Sequence, residues 1–278
     1  MAGLITRFAP SPTGPLHLGH AFSALTAFDL ANKAGGTCLL RIEDIDAARC
    51  RPQYEAQIFR DLHWLGLAWP EPVLRQSTQQ PAYDKALARL QALGVTYRCL
   101  CTRADIRAAL SAPQEGAIGP EGPLYPGTCR QCGHQDPDAT IRLDMARAAE
   151  RVGAAQFLET GPLHPGTHKI SAGDLCNQIG DVVLARRDLG VSYHLAVCVD
   201  DAAQGATVVT RGADLFTATA LHRVLQILLG LPEPAYHHHR LIRDDSGKRL
   251  AKRDDSRALA LYRAAGETPA DIRARVGL

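Results

Sequence analysis

The spacing of apolar residues near the start of the chain predicts a strand, a helix and a second strand. Residues 4–9 form a short apolar run that predicts a strand, and the prolines and glycine of residues 10–15 then exclude regular structure. Between residues 18 and 28 an apolar residue recurs at every third or fourth position, which predicts a helix. Residues 37–42 predict the second strand. This order is a βαβ unit, which predicts an α/β fold with a ligand at the carboxyl end of the strands.

The rest of the chain alternates between predicted helices and short apolar runs. Residues 54–67 and 82–93 have helical periodicity. Residues 214–229 predict a strong helix, with Asp214 as its N-cap. Residues 192–201 contain an apolar run, which predicts a buried strand.

Composition and charge narrow the class of protein only slightly. The chain has 278 residues, of which 46% are apolar, so it can bury a core. Its formal net charge of +2 excludes a histone-like polycation but allows a local basic surface. The chain lacks both a run of 18 apolar residues and the apolar stretch of a signal peptide. We therefore expect a cytoplasmic protein without a membrane partner, and we expect it to be a monomer.

Two histidines lie at the start of the first predicted helix, after the loop that follows the first predicted strand. His17 and His20 are separated by Gly19, which lets a ligand approach the backbone closely. Backbone N–H groups and the positive end of the helix dipole face such a loop, so the arrangement suits a polyphosphate. The alternative interpretation is that both histidines are surface or capping residues.

A second candidate segment is strongly basic. Residues 247–253 read GKRLAKR, and they lie inside the segment 240–257, which holds seven Arg or Lys and four Asp residues. One interpretation is a solvated basic loop, or a segment that touches nucleic acid without specificity. The other is a loop whose Lys252 closes on a pyrophosphate leaving group.

Together these two segments resemble the signatures of class I aminoacyl-tRNA synthetases in their glutamyl form. RFAPSPTGPLHLGH at 7–20 resembles the HIGH signature, and RLAKR at 249–253 resembles a degenerate KMSKS signature. Four further segments resemble the glutamyl-synthetase core in the same order: RIEDID (41–46), DVVLARRD (181–188), SYHLAVCVDD (192–201) and RGADLF (211–216). The resemblance covers residues 4–255. It implies a Rossmann-like α/β catalytic domain with an inserted, zinc-containing subdomain that resembles an acceptor-binding domain.

The resemblance also implies a division of the chain. Residues 1–98 and 191–240 would form the two halves of the catalytic domain. Residues 99–190 would form the inserted subdomain, with its zinc-binding segment at 99–135. Residues 241–278 would hold the KMSKS-like loop and a short helical tail.

The resemblance implies roles for individual residues in activating L-glutamate with ATP and Mg²⁺. Catalytic phosphate contacts are implied for His17, His20 and Lys252, and further ATP contacts for Gly19 and Arg249. Glutamate contacts are implied for Arg7, Ser11, Glu43, Tyr193 and Arg211. A guanidinium suits the side-chain carboxylate of glutamate because it can pair with both oxygens, and Glu43 would lie near the ammonium group.

Several positions depart from the family's pattern. Arg249 stands where the KMSKS signature begins with lysine, and Ala251 and Arg253 replace its two serines. Ala213 replaces the glutamate of the family's RGED motif. The segment YHHHRLI resembles the family's YxHxPLI, which implies that His238 forms part of the nucleotide-side wall.

A cysteine-rich segment between residues 99 and 137 predicts a metal site. The spacing of Cys99, Cys101, Cys129 and Cys132 suits a tetrahedral Cys₄ zinc site, with His134 in reserve. The resemblance to short glutamyl-synthetase-like proteins implies a different set. Their CxC and YxxxC pattern matches Cys99, Cys101, Tyr125 and Cys129 and leaves Cys132 outside a structural zinc site.

The length of the chain bears on its RNA partner. Only 25 residues follow Arg253, enough for one or two short helices and not for an anticodon-binding region. This feature resembles the short branch that activates glutamate without tRNA and attaches it to the queuosine of the tRNA(Asp) anticodon. The alternatives are a truncated glutamyl-tRNA synthetase that charges a tRNA 3′ end, and a noncatalytic module that binds tRNA or glutamate.

Overall fold

The computed structural model describes residues 3–110, 118–119, 122–188, 190–242 and 258–278. The strands of these residues are β1 (Ile5–Phe8), β2 (Thr37–Ile42), β3 (Leu74–Arg75), β4 (Thr96–Cys99), β5 (Ile118–Gly119), β6 (Gly122–Pro123), β7 (Thr140–Leu143), β8 (Ala155–Glu159), β9 (Gly166–Ile170), β10 (Val183–Arg186), β11 (Gly190–Val191), β12 (Val208–Gly212) and β13 (Ala235–His239). The helices are α1 (Leu18–Lys33), α2 (Pro52–Trp64), α3 (Gln80–Ala92), α4 (Arg103–Leu110), α5 (Met145–Val152), α6 (Ala172–Asp174), α7 (Tyr193–Ala203), α8 (Ala218–Leu229), α9 (Leu259–Ala264) and α10 (Pro269–Val276).

Parallel strands form the centre of the fold. Strand β2 pairs in parallel with both β1 and β3, and β13 pairs in parallel with both β12 and β8. The two groups meet at β1 and β12, where the Thr207 N–H donates to the Ile5 carbonyl at 2.9 Å. The carboxyl ends of β1, β2 and β12 therefore lie at one edge, as the βαβ prediction required.

The predicted βαβ unit is confirmed. Helix α1 follows the proline-rich loop and packs its buried side, which includes Phe22, Leu25 and Phe28, against the sheet. The chain turns after α1 at Gly35, whose φ of 60° suits glycine. The helices predicted over 54–67 and 82–93 are also present as α2 and α3.

The prediction of a strand over residues 192–201 is wrong, because this segment forms helix α7. Four consecutive residues, Leu195 to Cys198, are buried, so the helix is covered on several sides. Helical periodicity is recognised from the alternation of apolar and polar faces. A segment that is buried on several sides lacks this alternation, so its sequence resembles that of a buried strand.

The start of helix α8 also differs from the prediction. Asp214 lies in a short 3₁₀ turn at Ala213–Leu215, and α8 begins at Ala218, so Asp214 is not its N-cap. The end of α8 is as predicted, with Gly230 in the left-handed conformation.

The segment predicted as an insertion contributes to three sheets of the described structure, of which the smallest is the antiparallel pair β5 and β6. Strands β4, β7, β10 and β11 form an antiparallel sheet of their own. Strand β8 instead joins the parallel sheet beside β13, and β9 pairs with β8. Residues 99–190 therefore contribute β8 directly to the central parallel sheet.

The C-terminal helices support the first part of the fold. Leu259, Ile272 and Val276 are buried in the same apolar cluster as helix α1. Arg273 donates two hydrogen bonds of 2.8 Å to the carboxylate of Asp29 on α1. Among the described helices, none has the length and apolar character needed to cross a membrane.

Candidate functional site

A cavity of about 620 Å³ opens at the carboxyl edge of the parallel sheet. It is lined by the loop after β1, the start of α1, Glu43 after β2, and Tyr193 at the start of α7. The residues predicted to bind ATP or glutamate that line it are Arg7, Ser11, His17, Gly19, His20, Glu43, Tyr193 and Arg211. The structure therefore brings all of these residues together. Arg249 and Lys252 lie outside the described residues.

His17 and His20 form a reciprocal cap at the start of α1. The Gly19 N–H donates to His17 Nδ1 and the His17 N–H donates to His20 Nδ1, each at 3.1 Å. Because both Nδ1 atoms accept a backbone hydrogen, each neutral ring carries its proton on Nε2. Capping and ligand binding are thus compatible: one nitrogen holds each ring in place, and both rings line the cavity.

Gly19 is required by the position of the His17 ring. A Cβ at residue 19 would lie 2.9 Å from His17 Cε1, which is closer than real Cβ contacts, and 3.1 Å from Nδ1, which is closer than most of them. A larger residue would therefore push the His17 ring out of its cap. Glycine at residue 19 therefore leaves room for the His17 ring as well as for a ligand.

Arg7 is held by a buried carboxylate. Its Nε donates to Asp201 Oδ1 at 2.9 Å and its Nη1 donates to the Thr210 carbonyl at 2.9 Å. Arg41 Nη1 donates to the same Asp201 oxygen at 2.6 Å. Burial raises the pKa of Asp201, but attraction by Arg7 and Arg41 outweighs it and lowers the pKa to about 2. Asp201 is therefore charged at neutral pH and neutralises part of the charge of both arginines.

Glu43 faces the cavity beside this network. Arg41 Nη2 donates to Glu43 Oε1 at 3.1 Å. Burial raises the pKa of Glu43, and attraction by Arg41 and Arg7 only partly offsets that effect. The Glu43 N–H also donates to the Pro10 carbonyl at 3.0 Å, which ties the end of β2 to the loop after β1.

Arg211 lies at the end of β12 in a different environment, because its three hydrogen-bond partners are uncharged. Its Nε donates to His238 Nε2 at 3.1 Å, Nη1 to His222 Nδ1 at 2.8 Å and Nη2 to Thr219 Oγ1 at 2.8 Å. Burial, followed by the charge of Arg211, lowers the pKa of His238 to about 4 and that of His222 well below its usual value. Both imidazoles are therefore neutral at pH 7.

The interpretation of His238 as a wall residue is corrected by this geometry. His238 is fully buried behind Arg211, and its Nδ1 bonds to the carboxylate of Glu159 on β8. The neighbouring His239 lines the cavity instead. Alternate residues of a strand point to opposite faces, so a shift of one position exchanges the buried and the lining histidine.

Several site residues were missed by the sequence reasoning. Arg41 and Asp201 lie inside matched motifs, but their pairing joins the end of β2 to α7 across 160 residues. His194, His222 and Glu159 belong to separate elements that only the fold brings together. An arginine or aspartate within a run of buried apolar residues is the signal that could have found the first pair, because buried charges require partners.

The cysteine-rich segment brings a second set of reactive side chains together. Tyr125 Oη lies 3.3 Å from both Cys99 Sγ and Cys101 Sγ, and Cys101 Sγ lies 3.4 Å from Cys129 Sγ. The Cys129 N–H donates to Tyr125 Oη at 2.9 Å, which fixes the phenol among the thiols. The four groups implied by the family resemblance therefore converge.

This cluster has the chemistry of a metal site. Three sulfurs and one oxygen around a tetrahedral zinc ion would be separated by about 3.5–3.8 Å, since Zn–S and Zn–O distances are about 2.3 and 2.0 Å. The three distances above are only slightly shorter, and the three sulfurs all lie within 4.8 Å of one another, so the donor set fits a metal ion. Cys129, Cys132 and His134 also lie within 4.8 Å of one another, but Cys132 is exposed and bonds to the Thr128 carbonyl.

A second cavity of about 660 Å³ lies between the cysteine cluster and the first cavity. Cys101 and Tyr125 contribute to one part of its lining, and Tyr193 lines both cavities. Four arginines also line it: Arg49, Arg103, Arg142 and Arg186. Asp46 and Asp181 line the cavity as well, so four guanidinium groups and two carboxylates give the lining an excess of positive charge.

Comparison with known proteins decides the family. A family model described as tRNA synthetases class I (E and Q), catalytic domain, matches residues 3–278. A curated relative from Rhodobacter capsulatus, named Glutamyl-Q tRNA(Asp) synthetase, is 60% identical over 99% of this chain and 100% of its own length. The chain belongs to the glutamyl-Q tRNA(Asp) synthetase family. It is a ligase-type enzyme with a class I catalytic domain.

Other comparisons agree with membership of the glutamyl-Q tRNA(Asp) synthetase family. A relative of the same name from Symbiobacterium thermophilum is 42% identical over 97% of this chain and 84% of its own length. The structure of a glutamate tRNA ligase from Elizabethkingia meningosepticum, in complex with its amino acid, superposes with a TM-score of 0.70 at 26% identity. The match covers 91% of this chain and 53% of that ligase, so the chain spans about half the ligase's length. Mycobacterium tuberculosis methionyl-tRNA synthetase shares the fold, with a TM-score of 0.65 at 11% identity.

Proposed function

We propose that the chain activates L-glutamate with ATP in the absence of tRNA and transfers the glutamyl group to queuosine in the anticodon of tRNA(Asp). In the first step, a carboxylate oxygen of glutamate attacks the α-phosphorus of ATP, and pyrophosphate leaves. In the second step, a hydroxyl of queuosine attacks the glutamyl carbonyl, and AMP leaves. The observation that carries the proposal is a cavity that combines a helix-terminal histidine pair with a buried Arg211 whose hydrogen-bond partners among the described residues are uncharged.

The histidine pair is suited to the nucleotide. The positive end of the α1 dipole and the Nε2–H groups of His17 and His20 favour a phosphate whose charge grows as the bond to pyrophosphate breaks. Gly19 allows the nucleotide to approach the helix. Lys252 and Arg249 are proposed to contact the same phosphates on the strength of the family resemblance, and Mg²⁺ is expected to accompany ATP.

Arg211 is the strongest candidate for the carboxylate of the glutamate side chain. Arg7 already shares Asp201 with Arg41, whereas Arg211 bonds to two neutral imidazoles and one hydroxyl. A buried guanidinium in such surroundings gains more from a carboxylate than one that is already paired. Arg7 and Ser11 would complete the carboxylate side, with Glu43 near the ammonium group and Tyr193 against the aliphatic part.

The cysteine cluster is proposed to hold one structural zinc ion. Cys99, Cys101, Tyr125 and Cys129 would be its ligands, and the ion would supply a cross-link to a segment that has little apolar core. The neighbouring arginine-lined cavity is the proposed entrance for the tRNA(Asp) anticodon arm, because phosphate contacts need positive charge. The enzyme is further proposed to act as a monomer, and its location in the cytoplasm stays a prediction.

The activation step is tested by ATP–pyrophosphate exchange with glutamate and without RNA. The proposal predicts exchange with glutamate and little or none with glutamine, which presents an amide to Arg211. The absence of glutamate-dependent exchange at every enzyme concentration would favour a noncatalytic binding module. Transfer of labelled glutamate then separates the possible RNA acceptors, since charging of the 3′ end of tRNA(Glu) would contradict the proposal.

A further inference from the structure

We propose that Glu159 and His238 are positioning residues that hold Arg211 ready for a carboxylate substrate. The inference rests on the proposed function, because it takes Arg211 as the residue that binds the side chain of glutamate. Neither Glu159 nor His238 lines the cavity, and both are almost fully buried behind Arg211. Their role would be to fix the orientation of the guanidinium without neutralising it.

The chemistry of arginine fixes the direction of each hydrogen bond around Arg211. An arginine side chain can only donate, so His238 Nε2 and His222 Nδ1 must both accept from Arg211. His238 therefore carries its proton on Nδ1, and that proton is donated to Glu159 Oε2. His222 carries its proton on Nε2 and donates it to His194 Nδ1 at 2.9 Å. The hydrogen bonds that Arg211 donates therefore determine the tautomers of both His238 and His222.

Arg211 differs from Arg7 and Arg41 in the charge of its partners. Arg7 and Arg41 both bond directly to a carboxylate, whereas in the described residues no carboxylate oxygen lies within 4.0 Å of the Arg211 guanidinium. The carboxylate of Glu159 is separated from Arg211 by the whole width of the His238 imidazole. Thus Glu159 fixes the orientation of Arg211 through the neutral His238 ring. A substrate carboxylate can then form a direct ion pair with Arg211.

The contacts of Glu159 require a carboxylate at this position. Its Oε1 accepts the N–H of His238 at 2.9 Å and the N–H of Gly161, while Oε2 faces the His238 ring. A Cβ at Gly161 would collide with the His238 carbonyl oxygen, so the backbone is packed closely around this carboxylate. Glutamine at residue 159 would place its oxygen at the position that accepts two N–H groups. Its amide nitrogen would then face His238 Nδ1.

That substitution forces a conflict at Arg211. With an amide N–H group facing it, His238 Nδ1 must accept, so the ring proton moves to Nε2. Two donors, His238 Nε2–H and Arg211 Nε–H, would then face each other. Relief requires the guanidinium to move away from the orientation that a carboxylate needs.

The experiment compares Glu159→Gln with the unaltered enzyme in glutamate-dependent ATP–pyrophosphate exchange. We expect the KM for glutamate to rise roughly ten- to hundredfold, as for a lost hydrogen bond to a charged group, with little change in the KM for ATP. The matched control is Glu233→Gln, which removes a partly exposed carboxylate paired with Arg223 and should leave both KM values unchanged. Circular dichroism melting checks that each variant is folded.

A second measurement reads the network directly in the unaltered protein. Nitrogen-15 NMR of ring-labelled histidine distinguishes Nδ1–H from Nε2–H tautomers, with assignment from single histidine variants. We expect His238 as the Nδ1–H form and His222 as the Nε2–H form, and we expect His238 to change to Nε2–H in Glu159→Gln. An Nε2–H form of His238 in the unaltered protein would overturn the proposal.

The outcomes separate this inference from the proposed function. If the unaltered enzyme shows no glutamate-dependent exchange, the proposed function fails and the positioning role fails with it. If exchange is normal and the glutamate KM of Glu159→Gln stays within about twofold of the control, the positioning role alone is overturned. A rise in the KM for ATP equal to that for glutamate would also contradict it, since it would indicate general damage to the site.

Discussion

The catalytic cavity and the cysteine cluster both gather reactive side chains, but different forces hold them in place. In the cavity, Arg7 and Arg41 are held by Asp201, and Arg211 is held by two histidines. These contacts join strands and helices that already pack through two apolar clusters. The polar network is therefore supported by the fold itself.

The cysteine cluster has no comparable support. Its buried apolar group consists of Cys99, Tyr125 and Cys129, with a few partly buried neighbours. Three thiols and a phenol meet there, and each must lose a proton before it binds a metal as an anion. The comparison teaches that the first site is preorganised by protein contacts, whereas the second is expected to depend on its ion.

Loss of the metal should have the largest effect, because we expect it to destabilise the cysteine cluster and leave the catalytic cavity intact. Cys129→Ser should lower bound zinc from one ion per chain to none, because Cys129 contacts both Tyr125 and Cys101. Metal analysis measures the ion, and hydrogen exchange should show loss of protection in β4 and residues 125–136 while β1, β2 and β12 stay protected.

Cys132→Ser is the matched control for this prediction. Cys132 is exposed and bonds to a backbone carbonyl, so its replacement should leave zinc content unchanged. Equal loss of zinc in both variants would refute the assignment of Tyr125 as the fourth ligand.

Breaking the buried ion pairs of Asp201 with Arg7 and Arg41 should have the next largest effect. Asp201→Asn leaves Arg7 and Arg41 buried without their shared charge, and we expect it to lower the free energy of unfolding by about 3–5 kcal/mol. Urea denaturation measures the change. Asp188→Asn breaks a more exposed pair with Arg186 and should cost less than about 1 kcal/mol, so similar losses in both variants would contradict the account.

Acidification should have a smaller effect that originates in the neutral histidines. Burial, followed by the charge of Arg211, lowers the pKa of His194 to about 4, against an ordinary value near 6.5. Between these pH values the unfolded chain binds a proton that the folded chain does not, so stability falls as the pH falls from 6.5 to 4. The contribution is up to about 1.4 kcal/mol per pH unit for one histidine.

The pH effect is measured as a difference between two proteins. The free energy of unfolding should fall less steeply between pH 7 and pH 5 in His194→Gln than in the unaltered chain, because one titrating group is gone. Asp201 stays charged over this range, so its ion pairs do not contribute to the difference. Parallel slopes would show that His194 is not a buried neutral base.

The two regions also differ in how far the sequence predicts them. The βαβ unit follows from local periodicity, because α1 has one buried face and its flanking strands are short and apolar. The convergence of Cys99, Cys101, Tyr125 and Cys129 matches the set implied by the family resemblance, since CxC and YxxxC are local patterns. The βαβ unit requires no knowledge of distant contacts, whereas the ligand set joins two local patterns, and the family resemblance rather than the spacing selected Tyr125 over Cys132.

The parts that the sequence did not predict depend on distant contacts. Helix α7 was expected as a strand because packing on several sides removes its polar face. Asp201 on that helix could not be paired with Arg7 before the helix was placed. The exchange of roles between His238 and His239 depends on a one-residue register in β13, which its pairing with β8 and β12 determines.

The acceptor of the glutamyl group is the most direct test of the proposed function. Labelled glutamate, ATP and enzyme are incubated with tRNA(Asp) that carries queuosine, with the same tRNA lacking queuosine, and with tRNA(Glu). The account predicts label only on the queuosine-containing tRNA(Asp), at the anticodon after nuclease digestion. Label on the 3′ end of tRNA(Glu), or equal labelling of both forms of tRNA(Asp), would contradict it.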